Sequence, residues 1–159
     1  MLYKGTDILE VAHKIELRGQ AFYNKAAELV KEKAAKELLK DLAAKEASHA
    51  GFFKNLLDQL LKNQIIYHDD NEYQIIIQDF AQNHVFKDNI PDESFFTQED
   101  SLKNIFQMAL GFERDTITLF LEVGKHLDGI NKTTVDQIIE EEKEHIAILH
   151  DSMRDFKLL

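Results

Sequence analysis

A chain of 159 residues with a formal net charge of −10 repels phosphate backbones and anionic membrane surfaces, which argues against nucleic acid or membrane as a partner. It contains no cysteine, so disulfide scaffolding, thiol catalysis, iron–sulfur clusters and cysteine-ligated iron are excluded within it. No apolar run approaches the roughly 18 residues needed to cross a bilayer, and Met1-Leu2-Tyr3-Lys4-Gly5 leads toward a helix without the apolar core of a signal peptide; the expected location is cytoplasmic.

The length suits a single domain over residues 1–159, large enough to bury about two thirds of the surface of its unfolded form. Six Gly and one Pro against 44% hydrophobic residues favour long helices over sheet.

In chain order, the first helix is expected from Thr6 or Asp7, where Asp7 and Glu10 have capping-box spacing, to about Lys31. Its apolar stripe reads Leu9, Ala12, Glu16, Gly19, Tyr23, Ala26, Val30, in the alternating steps of three and four that mark one buried face. A turn near Lys33 leads to a second helix, about Ala34 to Lys62, whose stripe is Leu39, Leu42, Glu46, His49, Phe53, Leu56, Leu60. So short a connection makes the two helices antiparallel neighbours and sets Glu16 and Glu46 at similar heights, each about four turns from the bend.

From Asn63 to about Asp100 the pattern changes: two acidic pairs, Pro91, and an apolar patch of Tyr73, Ile75, Ile76, Ile77 and Phe80. This stretch is too long for a hairpin loop and reads as a crossover along the bundle, with a short outer helix near Glu72 to Asn83. Its exposed aromatic and isoleucine content points to association into at least a dimer, and His68 and His84 within it read as solvated.

A third helix is expected from near Asp100 to about Leu127, with the stripe Phe106, Ala109, Glu113, Thr116, Phe120, Val123, Leu127. Gly129 and Asn131 form the expected turn. A fourth helix follows from about Thr134, where Thr134 and Gln137 have capping-box spacing, to about Phe156, with the stripe Val135, Ile138, Glu142, His145, Leu149, Phe156. The expected fold is all-α: a four-helix bundle with a long central crossover carrying a short extra helix.

The carboxylates and imidazoles on these stripes are the exceptions that mark a site, because neither belongs in a dry core without a partner. Thirty positions separate Glu16 from Glu46 and 29 separate Glu113 from Glu142, so the chain reads as a duplicated helical hairpin. About 0.7 accidental Glu-x-x-His pairs are expected in a chain with this much Glu and His, and Glu10 with His13 is one such pair, outside the repeat, exposed or behind the site. Two pairs in register, each preceded by a Glu at matched spacing, are a different matter.

Four stripes facing one axis bring Glu16, Glu46, His49, Glu113, Glu142 and His145 together, since residues at i and i+3 share a helix face. Four buried carboxylates repel and lose hydration; two divalent cations carry the matching charge. Lys45, Arg114 and Lys143 each neighbour a stripe carboxylate in sequence and therefore point away from it. Oxygen and imidazole donors without thiolate suit iron or manganese, with zinc as an occupant in vitro. In this reading Glu46 with His49 and Glu142 with His145 hold one ion each, and Glu16 and Glu113 close the site. Tyr23 is core packing whose hydroxyl touches a ligand, Phe53 and Phe120 keep the site dry, and His126 and His150, off the stripes, are surface residues.

Glu16 with Phe22-Tyr23, Glu46-Ala-Ser-His49, Glu113 with Leu119-Phe120, and Glu142-Lys-Glu-His145 resemble the ferritin-like superfamily, most closely the rubrerythrin-type diiron domain, across all four helices. The resemblance implies a carboxylate-bridged diiron centre that reacts with hydrogen peroxide or dioxygen; relatives include peroxide reductases, ferroxidases and manganese catalases. Two departures stand out. Rubrerythrins carry a further carboxylate one turn after the Glu of the third helix, where this chain has Thr116, leaving a set of six closer in count to bacterioferritin and manganese catalase. The rubredoxin-like domain, which needs four cysteines, is missing, so an external electron donor such as a rubredoxin-like protein is implied. Ala47 stands where bacterioferritin uses Met for haem, and haem binding is not implied.

Overall fold

The computed structural model describes residues 5–63 and 90–159, together with Ile75 and Asp79 between them. Its elements are α1 (Gly5–Leu29), α2 (Lys33–Asn63), α3 (Glu93–Thr97), α4 (Ser101–Lys125) and α5 (Gly129–Asp155). Among the described residues there is no strand. The expected short helix near 72–83, with most of the apolar crossover patch, His68 and His84, lies outside the described residues.

The four stripes decide the packing. All seven positions of the α1, α2 and α4 stripes are buried, as are five of the six on α5, where Phe156 is half-buried. Four long amphipathic helices with one apolar face each can satisfy those faces only by turning them toward a common axis. The hairpins α1–α2 and α4–α5 are each closed by a short link. Val30, buried in the first link, donates its N–H to the Ala26 carbonyl at 2.9 Å, and α2 starts as the Lys36 N–H reaches the Glu32 carbonyl at 2.9 Å.

The second link differs from the sequence expectation. Asp128 is extended and Gly129, at φ +53, already belongs to α5, so Gly129 and Asn131 form the first turn of the helix rather than the bend before it. A glycine takes this left-handed backbone without the Cβ penalty, and the Asp128 carbonyl accepts the first helical bond from Lys132 at 3.2 Å. Thr134 therefore sits inside the helix and caps nothing. Its hydroxyl donates to the Ile130 carbonyl at 2.9 Å, while the Gln137 amide reaches forward to Glu141 at 3.4 Å.

Pro91 ends the connection and α3 follows at once, an element with no counterpart in the sequence reading. Its Phe96 is buried and lies 5.6 Å from the Phe22 ring. Lys25 of α1 donates to the Pro91 carbonyl at 2.9 Å and stands over the Phe96 ring at 5.4 Å. At the same end of the bundle Phe106 and Phe156 stack at 5.9 Å, and Lys157, at φ 56, lets the Leu158 N–H return to the Met153 carbonyl at 2.8 Å.

Gly19 marks a close approach between α1 and its neighbours. A Cβ built there would collide with the tip of the Phe112 ring, fall 2.6 Å from Phe112 Cε1 and stand 2.9 Å from Glu46 Oε2. Helix propensity alone favours alanine at a mid-helix glycine by about 1 kcal/mol, but overpacking a closed core costs about 1–3 kcal/mol. Gly19→Ala is expected to lower stability in denaturant unfolding, and a variant that gains stability would show that the ring and the carboxylate move aside freely.

Candidate metal centre

Each long helix places its polar exception near its middle, at a level where the apolar stripe continues above and below. Glu16, Glu46, Glu113 and Glu142 have no exposed surface, and His49 and His145 are 3% exposed. All six residues predicted from the sequence are thus brought together. Their donor atoms fall into two overlapping groups, Glu16, Glu46, His49 and Glu142 in one, and Glu46, Glu113, Glu142 and His145 in the other, with the atoms of each group within 4.8 Å of one another.

Each group keeps one Glu-x-x-His pair together, Glu46 with His49 and Glu142 with His145. Glu46 and Glu142, the carboxylates of the two Glu-x-x-His pairs, are common to both groups, while Glu16 and Glu113 stand at the outer ends. Glu142 shows it most directly: its Oε1 is 2.7 Å from His49 Nδ1 on α2 and its Oε2 is 2.8 Å from His145 Nδ1 on its own helix. Glu16 lies 3.4 Å from His49, and Glu46 and Glu113 each lie 3.5 Å from His145. The two rings stack at 6.0 Å between centroids. Sequence spacing cannot reveal the sharing, because it depends on how the two hairpins face each other.

The surroundings hold this geometry. Tyr23, buried two turns beyond Glu16, donates its hydroxyl to Glu113 Oε1. Phe53 and Phe120, both fully buried with rings 4.6 Å apart, form an apolar wall. Lys45 and Lys143 are exposed, Lys143 paired with Glu140 at 2.6 Å, and Arg114 is exposed as well, so none of the three enters the pocket.

Two residues escaped the sequence reading. Glu141 is about a quarter exposed; its Oε2 accepts a hydrogen bond from His49 Nε2 at 3.1 Å and lies 3.5 Å from the Lys45 ammonium. In a run of three glutamates only the helical face distinguishes it from Glu140. His13, left open between exposed and behind the site, is half-buried and donates through Nδ1 to the Ala50 carbonyl at 2.9 Å, tying α1 to α2 beside His49. His150 is exposed as expected. His126 is not a free surface residue: it is half-buried, 3.4 Å from the buried Glu122.

The electrostatics of the bare cluster follow from burial. Burial pushes Glu16 up to about 7 and Glu113 up to about 8 against the pull of the neighbouring imidazoles. Glu46 is driven well above the carboxylate range by burial and then by Glu16, Glu113 and Glu142. For Glu142 burial raises the value too, but the imidazoles of His145 and His49, 2.8 and 2.7 Å away, outweigh it and bring it to about 2. Burial lowers both imidazoles, yet Glu142 with Glu16 lifts His49 to about 11, and Glu113 with Glu142 lifts His145 to about 9. Burial and the nearby carboxylates hold the Tyr23 phenol well above 10.

Protons therefore fill the place of cations in a cluster that has too few donors. Both oxygens of Glu16, Glu46 and Glu142, Glu113 Oε2 and the Nδ1 atoms of both histidines lack an aligned hydrogen bond. Buried polar atoms are rarely left so, and so many converging oxygen and nitrogen acceptors are the donor set that a pair of divalent ions satisfies.

An all-α bundle with this centre defines a protein of the ferritin-like diiron-carboxylate class. The family model described as Rubrerythrin matches residues 7–89, more than half of the chain, and the chain belongs to the rubrerythrin family. It is also similar, with 27% identity, a TM-score of 0.73 and 97% of both chains covered, to a crystal structure from Thermotoga maritima described as a ferritin-like diiron-carboxylate protein. No curated protein matches. Among the described residues no helix is long and apolar enough to cross a membrane.

The proton inventory sets a pH dependence for the metal-free protein. The folded chain holds protons on Glu16, Glu113, Glu46 and both imidazoles at pH values where the unfolded chain has released them. A group raised on folding stabilises below its unfolded value and loses that contribution as pH rises through its folded value. The opposite effect of Glu142 is confined to between about 2 and about 4.5. The melting temperature in the presence of chelator is expected to fall from about pH 5 to about pH 9. The gain on adding a divalent metal is expected to widen over the same range, because the ions displace those protons. Scanning calorimetry checks both, and a chelated protein that grows more stable with rising pH contradicts the assignment.

Proposed function

We propose that the protein is an iron-dependent oxidoreductase of the rubrerythrin type. It reduces hydrogen peroxide, with dioxygen as the other oxidant, and draws electrons from a separate rubredoxin-like donor. The observation that supports this most is the pair of overlapping four-residue groups sharing Glu46 and Glu142. In this reading Glu16, Glu46, His49 and Glu142 would hold one iron ion and Glu46, Glu113, Glu142 and His145 the other; manganese would fit the same donors. When bound, the two ions supply the two electrons and the charge stabilisation that cleavage of an O–O bond needs.

The chain's own groups prepare the pocket. Glu141 accepts the Nε2 proton of His49, which fixes the tautomer whose Nδ1 lone pair faces the carboxylates. Tyr23 occupies Glu113 Oε1 and leaves Oε2 for an ion. Phe53 and Phe120 exclude water from one side, so the field of the carboxylates is not screened. No side chain is needed as a covalent nucleophile, and the electrons come from the separate donor.

A ferroxidase that oxidises Fe(II) and passes it on is the second reading, favoured by Thr116, which leaves six ligands rather than seven. Protein loaded with Fe(II) under anaerobic conditions and mixed with peroxide or with oxygen separates the two. Fast stoichiometric peroxide reduction is the expected result; oxygen uptake with net iron accumulation supports the ferroxidase, and an inert centre leaves a metal-binding module. Glu141→Ala is expected to weaken metal affinity about tenfold, read by chelator competition; unchanged affinity removes Glu141 from the assembly.

A further inference from the structure

Among the described side chains, threonine hydroxyls in these helices follow a rule that one of them breaks. Thr97, Thr118, Thr133 and Thr134 each donate to the carbonyl four residues earlier, at 3.2, 3.0, 3.1 and 2.9 Å. In a helix threonine divides between two rotamers because its oxygen can make that bond. Thr116 does not make it. It has no exposed surface, and its Oγ1 has no hydrogen-bond partner.

Its position makes the exception informative. Thr116 lies one turn after Glu113 on the stripe that faces the carboxylate pocket, and Phe120 follows it by another turn. In the duplicated half the equivalent residue is Gly19, packed against the Phe112 ring and the Glu46 carboxylate with no room for a side chain. The repeat equivalents of Gly19 and Phe112 are Thr116 and Ile15, so the bulk added by threonine is matched by the loss of a ring. One half of the pocket is closed by an aromatic, and the other carries a hydroxyl.

A buried hydroxyl without a partner is costly unless something arrives to accept its proton. Neither a pocket carboxylate nor the carbonyl one turn back accepts it. We propose that Thr116 Oγ1 is the substrate-contacting donor of the pocket: it gives a hydrogen bond to a small oxygen-bearing molecule, of the size of hydrogen peroxide, at the Thr116 side of the centre. This deepens the reading of the site as an oxidant-binding iron centre and rests on it. A neutral donor in place of a further carboxylate adds no negative charge to the four already there.

The test compares Thr116→Val, nearly isosteric but without the hydroxyl, with Thr116→Ser, which keeps it. In the metal-free protein Thr116→Val is expected to raise the melting temperature by about 2–5 °C, because a methyl group replaces an unsatisfied oxygen; a fall shows that the hydroxyl has a structural partner and overturns the proposal. In the iron-loaded protein, inorganic azide serves as the probe. Its dissociation constant, read by absorbance titration, is expected to rise about 5–20-fold in Thr116→Val, by the loss of one hydrogen bond, and to return in Thr116→Ser with iron content unchanged in both. Equal azide affinity in all three proteins overturns the proposal, and so does lost iron content in Thr116→Val, which would make the hydroxyl a ligand. A wild-type protein that binds iron and azide but does not consume peroxide removes the peroxidase reading and leaves the azide comparison standing. One that takes up no iron ends both.

Discussion

The structure depends on the burial of four carboxylates and two imidazoles at one level of an apolar bundle. Each group alone is too costly to take out of water, and they are tolerable only together, through shared protons in the bare protein or shared cations in the loaded one. Everything around them serves that compromise. The apolar stripes above and below carry the stability, the Phe53–Phe120 contact keeps solvent away, and the Tyr23 hydroxyl holds one carboxylate oxygen still. The site is therefore expensive to the fold in one state of occupancy and stabilising in another, as expected when ligand binding and folding share the same groups.

The duplication gives near symmetry, and the departures from it are where the two halves divide the work. Glu16 and Glu113, Glu46 and Glu142, His49 and His145 correspond one to one. Beyond them the correspondence fails: Gly19 admits the Phe112 ring where Thr116 carries a hydroxyl, and Glu141 braces His49, whereas the matching position before Glu46 is Lys45. The basic residue of one half thus meets the acidic residue of the other, 3.5 Å apart at the pocket's edge. Symmetric candidate ligands with asymmetric supports give the two ligand groups chemically distinct surroundings.

Much of this was legible in the sequence, and the limits have physical causes. The stripes, the six converging residues and the pairing of each hairpin follow from a period of 3.6 and a matched spacing, which are local properties. What spacing cannot convey is the facing of one hairpin by the other. Hence Glu46 and Glu142 emerged as the shared carboxylates only in three dimensions, and Glu141 was indistinguishable from its neighbours. The start of α5 was misplaced because Thr134 and Gln137 have the spacing of a cap without its backbone: an extended Asp128 and a left-handed Gly129 open the helix earlier. The α3 turn was missed because five residues are too few for periodicity, although Phe95-Phe96 after a proline was the available clue.

Lys25 has a consequence for the architecture as a whole. By holding the Pro91 carbonyl and covering the Phe96 ring, it fastens the returning chain to the first hairpin before α4 begins. The second hairpin thus starts beside an anchor on the first. Since the entropy of closing a loop grows only slowly with its size, a tether at this point costs the chain little and fixes where the second pair of helices begins, whatever route leads to it.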